Sequence, residues 1–295
     1  MSEARIGVIG GSGLYKMEGM TGVEEVRVDT PFGEPSDAIV LGSLEGARVA
    51  FLPRHGKGHR ISPSELPAKA NIYALKSLGV ERIISVVAVG SLLEEIAPLD
   101  VVIPDQLIDC TKARASTFFV GGIVGHVSLA EPFCPVLRQI SFEASTRVGA
   151  KVHKRGTYLA MEGPQLSTKA ESQLYRSWGA DIIGMTALPE AKLAREAEIC
   201  YATLALVTDY DCWHLDYESV TTEMILTNLR NGVDTIKDVL KLLLPSIPQE
   251  RDCPCANALR YAIVTEAKYI PEGKKKELGL LIDRYLRKEK DVNQG

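Results

Sequence analysis

The chain has 295 residues, 45% hydrophobic and 24% charged, with a formal net charge of -4, which is ordinary globular composition and enough length for one large α/β domain with a substantial core. Slight acidity without a long basic cluster excludes a general nucleic-acid or anionic-membrane binder. No apolar run reaches the about 18 residues that span a bilayer, and Ile83–Leu93 is broken by Ser85, Gly90 and Ser91.

Glu3 followed directly by a strand argues against a signal peptide, so a cytoplasmic protein is expected. The compact apolar run Ile6–Ile9 ends in Gly10-Gly11-Ser12-Gly13, where glycines allow a sharp turn and close approach to an anion. A full dinucleotide fingerprint is missing, because Tyr15 and Lys16 follow where a third glycine should open a helix. Taken alone, the segment reads better as a plain strand-to-loop turn.

Val26–Asp29 and Ile39–Leu44 read as strands around a Pro/Gly loop, and Val49–Leu52 as a third. The last empties into Pro53-Arg54-His55-Gly56-Lys57-Gly58-His59-Arg60, where basic side chains and glycines at a strand end suit an anion such as phosphate. A helix is expected over 67–78, with Asn71 on its polar side. Ile83–Val89 is β-branched enough for a central strand and ends at Gly90-Ser91. Val101–Ile103 follows as a short strand, and then a long loop over 109–133 that contains Arg114 and His126.

Val136–Gly149 reads as a helix, Tyr158–Met161 as a strand ending at Glu162, and 167–178 as a helix. Ile182–Thr186 is the next strand, with a hydroxyl at its end, and Pro189 suits the first turn of another helix. Leu204–Val207 then breaks into Thr208-Asp209-Tyr210-Asp211-Cys212-Trp213. A short apolar run with polar ends reads as a buried parallel strand, beyond whose carboxyl end ligands bind. If the backbone stays extended, period-two alternation points Asp209 and Asp211 the same way. A turn in which the aspartates cap a helix is the other reading.

A helix over 222–244 places Ile225, Leu229, Val233, Ile236, Leu240 and Leu243 on one face. A further helix is expected over 257–268, and a Lys-rich terminal helix turns Leu278, Leu281, Ile282 and Tyr285 inward. The six cysteines, at 110, 134, 200, 212, 253 and 255, lack the spacing of a zinc ribbon, so free or structural thiols are the default and no metal is expected. Cys253-Pro254-Cys255 is their one close pair.

The strand ends Ser12, Arg54 with His55, Ser91, Glu162, Thr186 and Asp209/Asp211 can converge on one crevice, part anion-binding and part acidic. The motifs Gly10-Gly11-Ser12-Gly13-Leu14, Asp29-Thr30-Pro31-Phe32-Gly33, Arg54-His55-Gly56, Gly90-Ser91-Leu92, Ala130-Glu131-Pro132-Phe133, Glu162-Gly163-Pro164, Trp178-Gly179-Ala180-Asp181 and Met185-Thr186 occur in that order. Over about residues 5–245 this resembles the trimeric purine nucleoside phosphorylases. Cys200-Tyr201-Ala202 and Thr208 to Trp213 resemble most strongly its members acting on 5'-methylthioadenosine.

The resemblance implies a single-domain α/β nucleoside phosphorylase-like fold over 1–295, a central twisted mixed sheet flanked by helices, with 250–295 as a helical extension. It implies phosphorolysis of 5'-methylthioadenosine to adenine and 5-methylthioribose 1-phosphate, phosphate as co-substrate, no cofactor, and a homotrimer. Phosphate would meet Ser12, Arg54, His55, the Val87-Ala88 backbone and Thr186. Met185 would lie under the ribose, Asp209 would face the purine N7, and Asp211 would receive the 6-amino group. Leu166, Ser167, Ile183, Thr222 and Ile225 would line the substrate pocket, with His126 contributed by a neighbouring subunit.

The sequence departs from the family pattern at Val87, where a hydroxyl residue usually touches phosphate, at Leu166, where an aromatic usually lies near the purine, and at Thr222, where an apolar residue lines the alkylthio pocket. Counterparts of Cys253 and Cys255 are paired in some heat-stable relatives. A broader purine nucleoside phosphorylase, a hydrolytic nucleosidase and a non-catalytic dinucleotide-binding module are the competing readings.

Overall fold

The computed structural model describes residues 4–11, 14, 17–214 and 220–292, with side chains as far as 286. Its strands are β1 (Ile6–Gly10), β2 (Thr21–Val26), β3 (Ile39–Leu44), β4 (Ala47–Pro53), β5 (Arg82–Ser91), β6 (Val101–Val102), β7 (Gln106–Asp109), β8 (Val152–His153), β9 (Thr157–Ala160), β10 (Ile182–Gly184) and β11 (Cys200–Asp209). The α-helices are α1 (Ala68–Ser77), α2 (Pro135–Val148), α3 (Lys169–Ser177), α4 (Ala187–Glu196), α5 (Thr222–Ser246) and α6 (Glu272–Val292).

All the strands join one mixed sheet, whose main path runs β2-β3-β4-β1-β5-β10-β9-β7, with β11, β6 and β8 branching from β5. Strands β4, β1, β5 and β11 are mutually parallel, whereas β10 runs antiparallel to β5. Strand β11 is buried at every position, as a parallel strand covered on both faces must be. Its residues alternate between two cores: Tyr201, Ala205 and Val207 pack with α1, α4 and α6, while Ala202, Leu204 and Leu206 pack with α2 and α5.

Local chemistry explains most helix ends. Pro135 occupies the first turn of α2, and Gly149 closes it in the left-handed region at φ 85°. Thr168 and Glu171 form a capping box on α3, and the Thr221 hydroxyl accepts from the Met224 amide at the start of α5. Leu188 has extended dihedrals, so the regular part of α4 starts at Pro189 as expected.

Four expectations need correction. The strand expected at Val26–Asp29 lies earlier, at Thr21–Val26, an almost fully exposed edge paired through its backbone to β3, so it carries little apolar signal. The short strands β7 and β8 were not expected. Asn71 is buried rather than polar-facing, and its Oδ1 accepts from the Ser36 amide at 2.8 Å. No α-helix forms over 257–268; this segment instead hydrogen-bonds the 109–133 loop, through His126 N to Ala262 O and Val264 N to Val124 O. Leu259 and Ala262, both buried, and partly buried Ile263 supply the spacing that imitates a helix. The terminal helix buries Leu278, Leu281 and Ile282 as expected.

Candidate active site

Beyond the carboxyl ends of β1, β4, β5 and β11 lies a cavity of about 320 Å³, closed on one side by α5. Arg54, His55, Val87, Ala88 and Thr186 line it together with Asp209 and Asp211, and so do Leu166, Ile183, Met185, Thr222 and Ile225. Pattern at separate strand ends thus becomes one pocket, because the parallel strands bring their termini to the same edge.

The sheet opens at the anion end. Strand β5 pairs with β1 only as far as Ser85 and with β10 only from Gly90, so on that edge residues 86–89 have no strand partner. Backbone groups alternate between the two edges of a strand, so on this side Val86 O accepts from Arg54 Nη1 and the groups of Ala88 remain for an anion, whereas those of Val87 turn to β11. The bulky apolar Val87 side chain is itself buried.

Arg54 follows β4, and its amide donates to Gly10 O at 2.8 Å, which ties two strand ends together. Arg54 is 1% exposed, its guanidinium donating Nε to Glu190 Oε1 at 2.6 Å, Nη2 to Glu190 Oε2 and Ser85 Oγ, and Nη1 to Val86 O. Burial works to lower the Arg54 pKa, but the Glu190 carboxylate more than offsets this and raises it. Four of the five guanidinium N–H groups are thus occupied, leaving one on Nη1 for a ligand. Tyr201 Oη and Ser85 Oγ also donate to Glu190 Oε2, at 2.9 and 3.0 Å.

His55 stacks on His59 at 4.1 Å between ring centroids, and its Nδ1 lies 2.8 Å from Ile61 O. Burial pushes its pKa down to about 4. The ring is neutral near pH 7, with Nδ1–H donating to Ile61 O, and Nε2 is then an acceptor for a protonated phosphate oxygen. Thr186 ends the opposite wall, its amide donating to Tyr158 Oη at 3.3 Å.

At the other end sit the two carboxylates, 5% and 9% exposed for Asp209 and Asp211. They do not face the cavity by strand alternation. The β11–β5 register shifts between Val207 and Asp209, the strand ends there, and Asp211 adopts a left-handed φ of 49°. The Asp211 amide donates to Asp209 Oδ1 at 2.8 Å, a turn closed by a side chain. Thr208 Oγ1 lies 2.7 Å from Asp209 Oδ2 and 3.2 Å from Val89 O. Asn228 of α5 holds the Thr208 carbonyl at 2.7 Å.

Burial raises the pKa of both acids, partly offset at Asp209 by the Thr208 hydroxyl and at Asp211 by the proximity of Ser172 and Ser167, although Ser172 Oγ makes no hydrogen bond among the described residues. Asp211 Oδ2 nevertheless makes no satisfactory hydrogen bond among the described residues. It is an acceptor awaiting a donor.

Some expected residues are not brought together. Ser12 lies outside the described residues. Ser167 flanks Asp211 without lining the cavity, its hydroxyl turned to Met161 Sδ at 3.7 Å. His126 is not on the cavity wall of its own chain. Glu162 faces the 109–133 loop, where the Lys112 amide and the Ser64 hydroxyl hold its pKa down at about 2. Ser91 also turns inward, its Oγ donating to Leu93 O.

Sequence reading missed three supporting groups. Glu190 reads as one polar residue in a helix, though its burial beside Pro189 in an otherwise apolar turn is a signal in retrospect. Thr208 was overshadowed by the aspartates. Arg114, with a side chain only 2% exposed, donates to the carbonyls of Leu188, Met161, Glu162 and Met185, and so braces the segment that carries Thr186.

A family profile described as the phosphorylase superfamily matches residues 5–245. The S-methyl-5'-thioadenosine phosphorylase of Chloroflexus aurantiacus is 56% identical over 97% of this chain and 99% of its own. A crystal structure of a methylthioadenosine phosphorylase from an antarctic soil metagenomic library superposes with a TM-score of 0.90 at 51% identity, covering 96% of this chain and all of the other. An S12T mutant of the adenosine/methylthioadenosine phosphorylase of Schistosoma mansoni, in complex with methylthioadenosine, superposes at 0.77 and 37% identity over 84% of this chain and 93% of its own. The chain therefore belongs to the phosphorylase superfamily, in the branch that these S-methyl-5'-thioadenosine phosphorylases form.

Proposed function

We propose that this protein catalyses phosphorolysis of 5'-methylthioadenosine, releasing adenine and forming 5-methylthioribose 1-phosphate. The observation that carries the reading is a single cavity with anion-binding groups at one end and two buried carboxylates of raised pKa at the other. Breaking an N-glycosidic bond leaves positive charge on the ribose and negative charge on the purine. The pocket is polarised in the sense that stabilises both.

Phosphate binds against the open 86–89 edge of β5, Thr186, His55 and the remaining Nη1–H of Arg54. Its charge faces the anomeric carbon as the glycosidic bond lengthens, and one of its oxygens then forms the new C–O bond. Asp209, kept protonated more readily by burial, gives its proton towards N7 of the departing base. Thr208 Oγ1 suits both protonation states, because a hydroxyl can donate to Asp209 or accept from it while turning to Val89 O. The unpartnered Oδ2 of Asp211 accepts from the 6-amino group, which favours adenine over a 6-oxopurine. By resemblance, related enzymes for 6-oxopurines carry Asn at the position of Asp209.

Met185 underlies the ribose, and Leu229, Val233 and Ile236 of α5 give the 5' end an apolar wall. Thr222 adds a hydroxyl there, an observation that favours adenosine as a second substrate alongside methylthioadenosine. In a homotrimer, His126 of a neighbouring copy would close the same end. The reaction needs no resident cofactor, and the reading places the protein in the cytoplasm as one domain, with about 5–245 as its catalytic core. No described helix is long and apolar enough to cross a membrane.

Release of the free base, adenine from methylthioadenosine and adenosine and hypoxanthine from inosine, with and without phosphate, tests the proposal. It requires phosphate dependence and methylthioadenosine as the best substrate. Equal release in phosphate-free buffer would make the protein a nucleosidase. Faster turnover of inosine would make it a broader purine nucleoside phosphorylase.

A further inference from the structure

Away from the cavity, the fold collects four of the six cysteines, which lie scattered along the sequence. The Sγ atoms of Cys134, Cys200, Cys253 and Cys255 all lie within 4.8 Å of one another, with Cys200 and Cys253 at 3.3 Å. They come from three local settings: Cys134 precedes α2, Cys200 opens β11, and Cys253 and Cys255 flank Pro254 at a short 3-10 turn. Zinc held by four thiolates at about 2.3 Å has sulfur–sulfur edges of about 3.8 Å, within the range this cluster spans.

We propose that Cys134, Cys200, Cys253 and Cys255 form a structural tetrathiolate site for a thiophilic divalent cation, zinc foremost. Three of the four are buried, and the partly exposed Cys253 offers the way in. Four thiolates around a divalent cation leave a net charge of about -2, which needs nearby donors and positive charge. Both are present. Arg195, itself 9% exposed, directs Nη1 at Cys255 Sγ from 3.7 Å. The amides of Val136 and Leu137, in the first turn of α2, hydrogen-bond Cys134.

Binding releases the thiol protons to solvent and involves no electron transfer. The ion would clamp the segment after residue 250 to the body of the sheet, adding to Arg82 Nη2 on the carbonyls of Gln249 and Glu250 and to Arg251 Nη1 on Glu198 O. Free divalent metal is the only reactant required. None of the four cysteines lines the cavity, so the site's occupancy is separable from substrate turnover.

Titration of the reduced, chelator-treated full-length protein with Co²⁺ tests the site. The proposal expects about one ion per chain, the intense visible bands and thiolate charge-transfer absorption of tetrahedral cobalt, their loss on adding zinc, and a higher Tm. Cys255→Ser and Cys253→Ser should weaken or abolish the bands, whereas Cys110→Ser should leave them. Failure of the fully reduced wild-type chain to give charge-transfer absorption would overturn the proposal without recourse to variants. So would recovery of the four thiols as two disulfides when thiols are trapped at lysis.

Discussion

Arg54 and Glu190 meet fork to fork, with Nε 2.6 Å from Oε1, Nη2 3.2 Å from Oε2 and both side chains 2% exposed. The acid neutralises and aims the guanidinium, so that the cation at the anion end has a single fixed orientation. Removing one partner of such a buried pair leaves an uncompensated charge, at a cost of about 3–5 kcal/mol. Glu190→Gln is therefore expected to lower Tm markedly and to raise the KM for phosphate more than the KM for the nucleoside. An unchanged Tm with ordinary phosphate kinetics would show that the pair neither supports the fold nor orients Arg54.

The two acids should fail differently. Asp209→Ala removes the proton donor to the leaving base and is expected to cost about 10²- to 10⁴-fold in kcat. Asp211→Ala instead deletes the acceptor for an exocyclic amine, so the preference for methylthioadenosine over its 6-oxo analogue should fall by about 10- to 100-fold. Parallel kinetics on both substrates check this. Near-normal turnover by Asp209→Ala would refute the mechanism.

Gly90 is held to glycine by Asp209. A Cβ at position 90 would stand 2.8 Å from Asp209 Oδ1 and 3.2 Å from Ile183 Cγ2. In Gly90→Ala the carboxylate has to move, and a misplacement of about 1 Å costs on the order of 10²-fold. The expected result is a drop in kcat with the phosphate KM little altered. A wild-type kcat would mean that Asp209 has room to adjust.

His55 sets a pH signature in stability. Its folded pKa of about 4 lies below the ordinary 6.5, so between these values the unfolded chain binds the extra proton and stability drops as the pH is lowered. Above about 6.5 its contribution is fully present. Asp209 and Asp211, with raised pKa values, pull the other way and are common to both proteins compared. The Tm of the wild type should therefore lose ground to His55→Gln as pH falls from about 6.5 to about 4. Parallel Tm–pH curves would contradict a buried neutral imidazole.

Much of the site was legible before the fold, because its chemistry sits at the ends of apolar runs. The stretches before Arg54 and Asp209 announce buried parallel strands through unbroken Val, Leu and Ala, and parallel strands put their carboxyl ends on one edge. What misled was local periodicity without its tertiary setting. The segment 257–268 carries apolar residues at helical spacing, yet its backbone groups pair with the 109–133 loop. Strand β2 carries only Val23 and Val26 as apolar residues, because it is held mainly through its backbone edge.

Sequence alone determined the α/β class, most strand and helix positions, and the residue types able to bind an anion and protonate a base, since burial period and strand-end polarity are written along the chain. Only the tertiary structure decided how those groups face each other. The gap at 86–89 depends on where β1 and β10 leave β5. The paired aim of Asp209 and Asp211 depends on a register shift and a left-handed residue, not on strand alternation. Glu190 under Arg54 and the four cysteines around one point join residues far apart in the chain. Such pairings follow from how the layers pack, which no local pattern encodes.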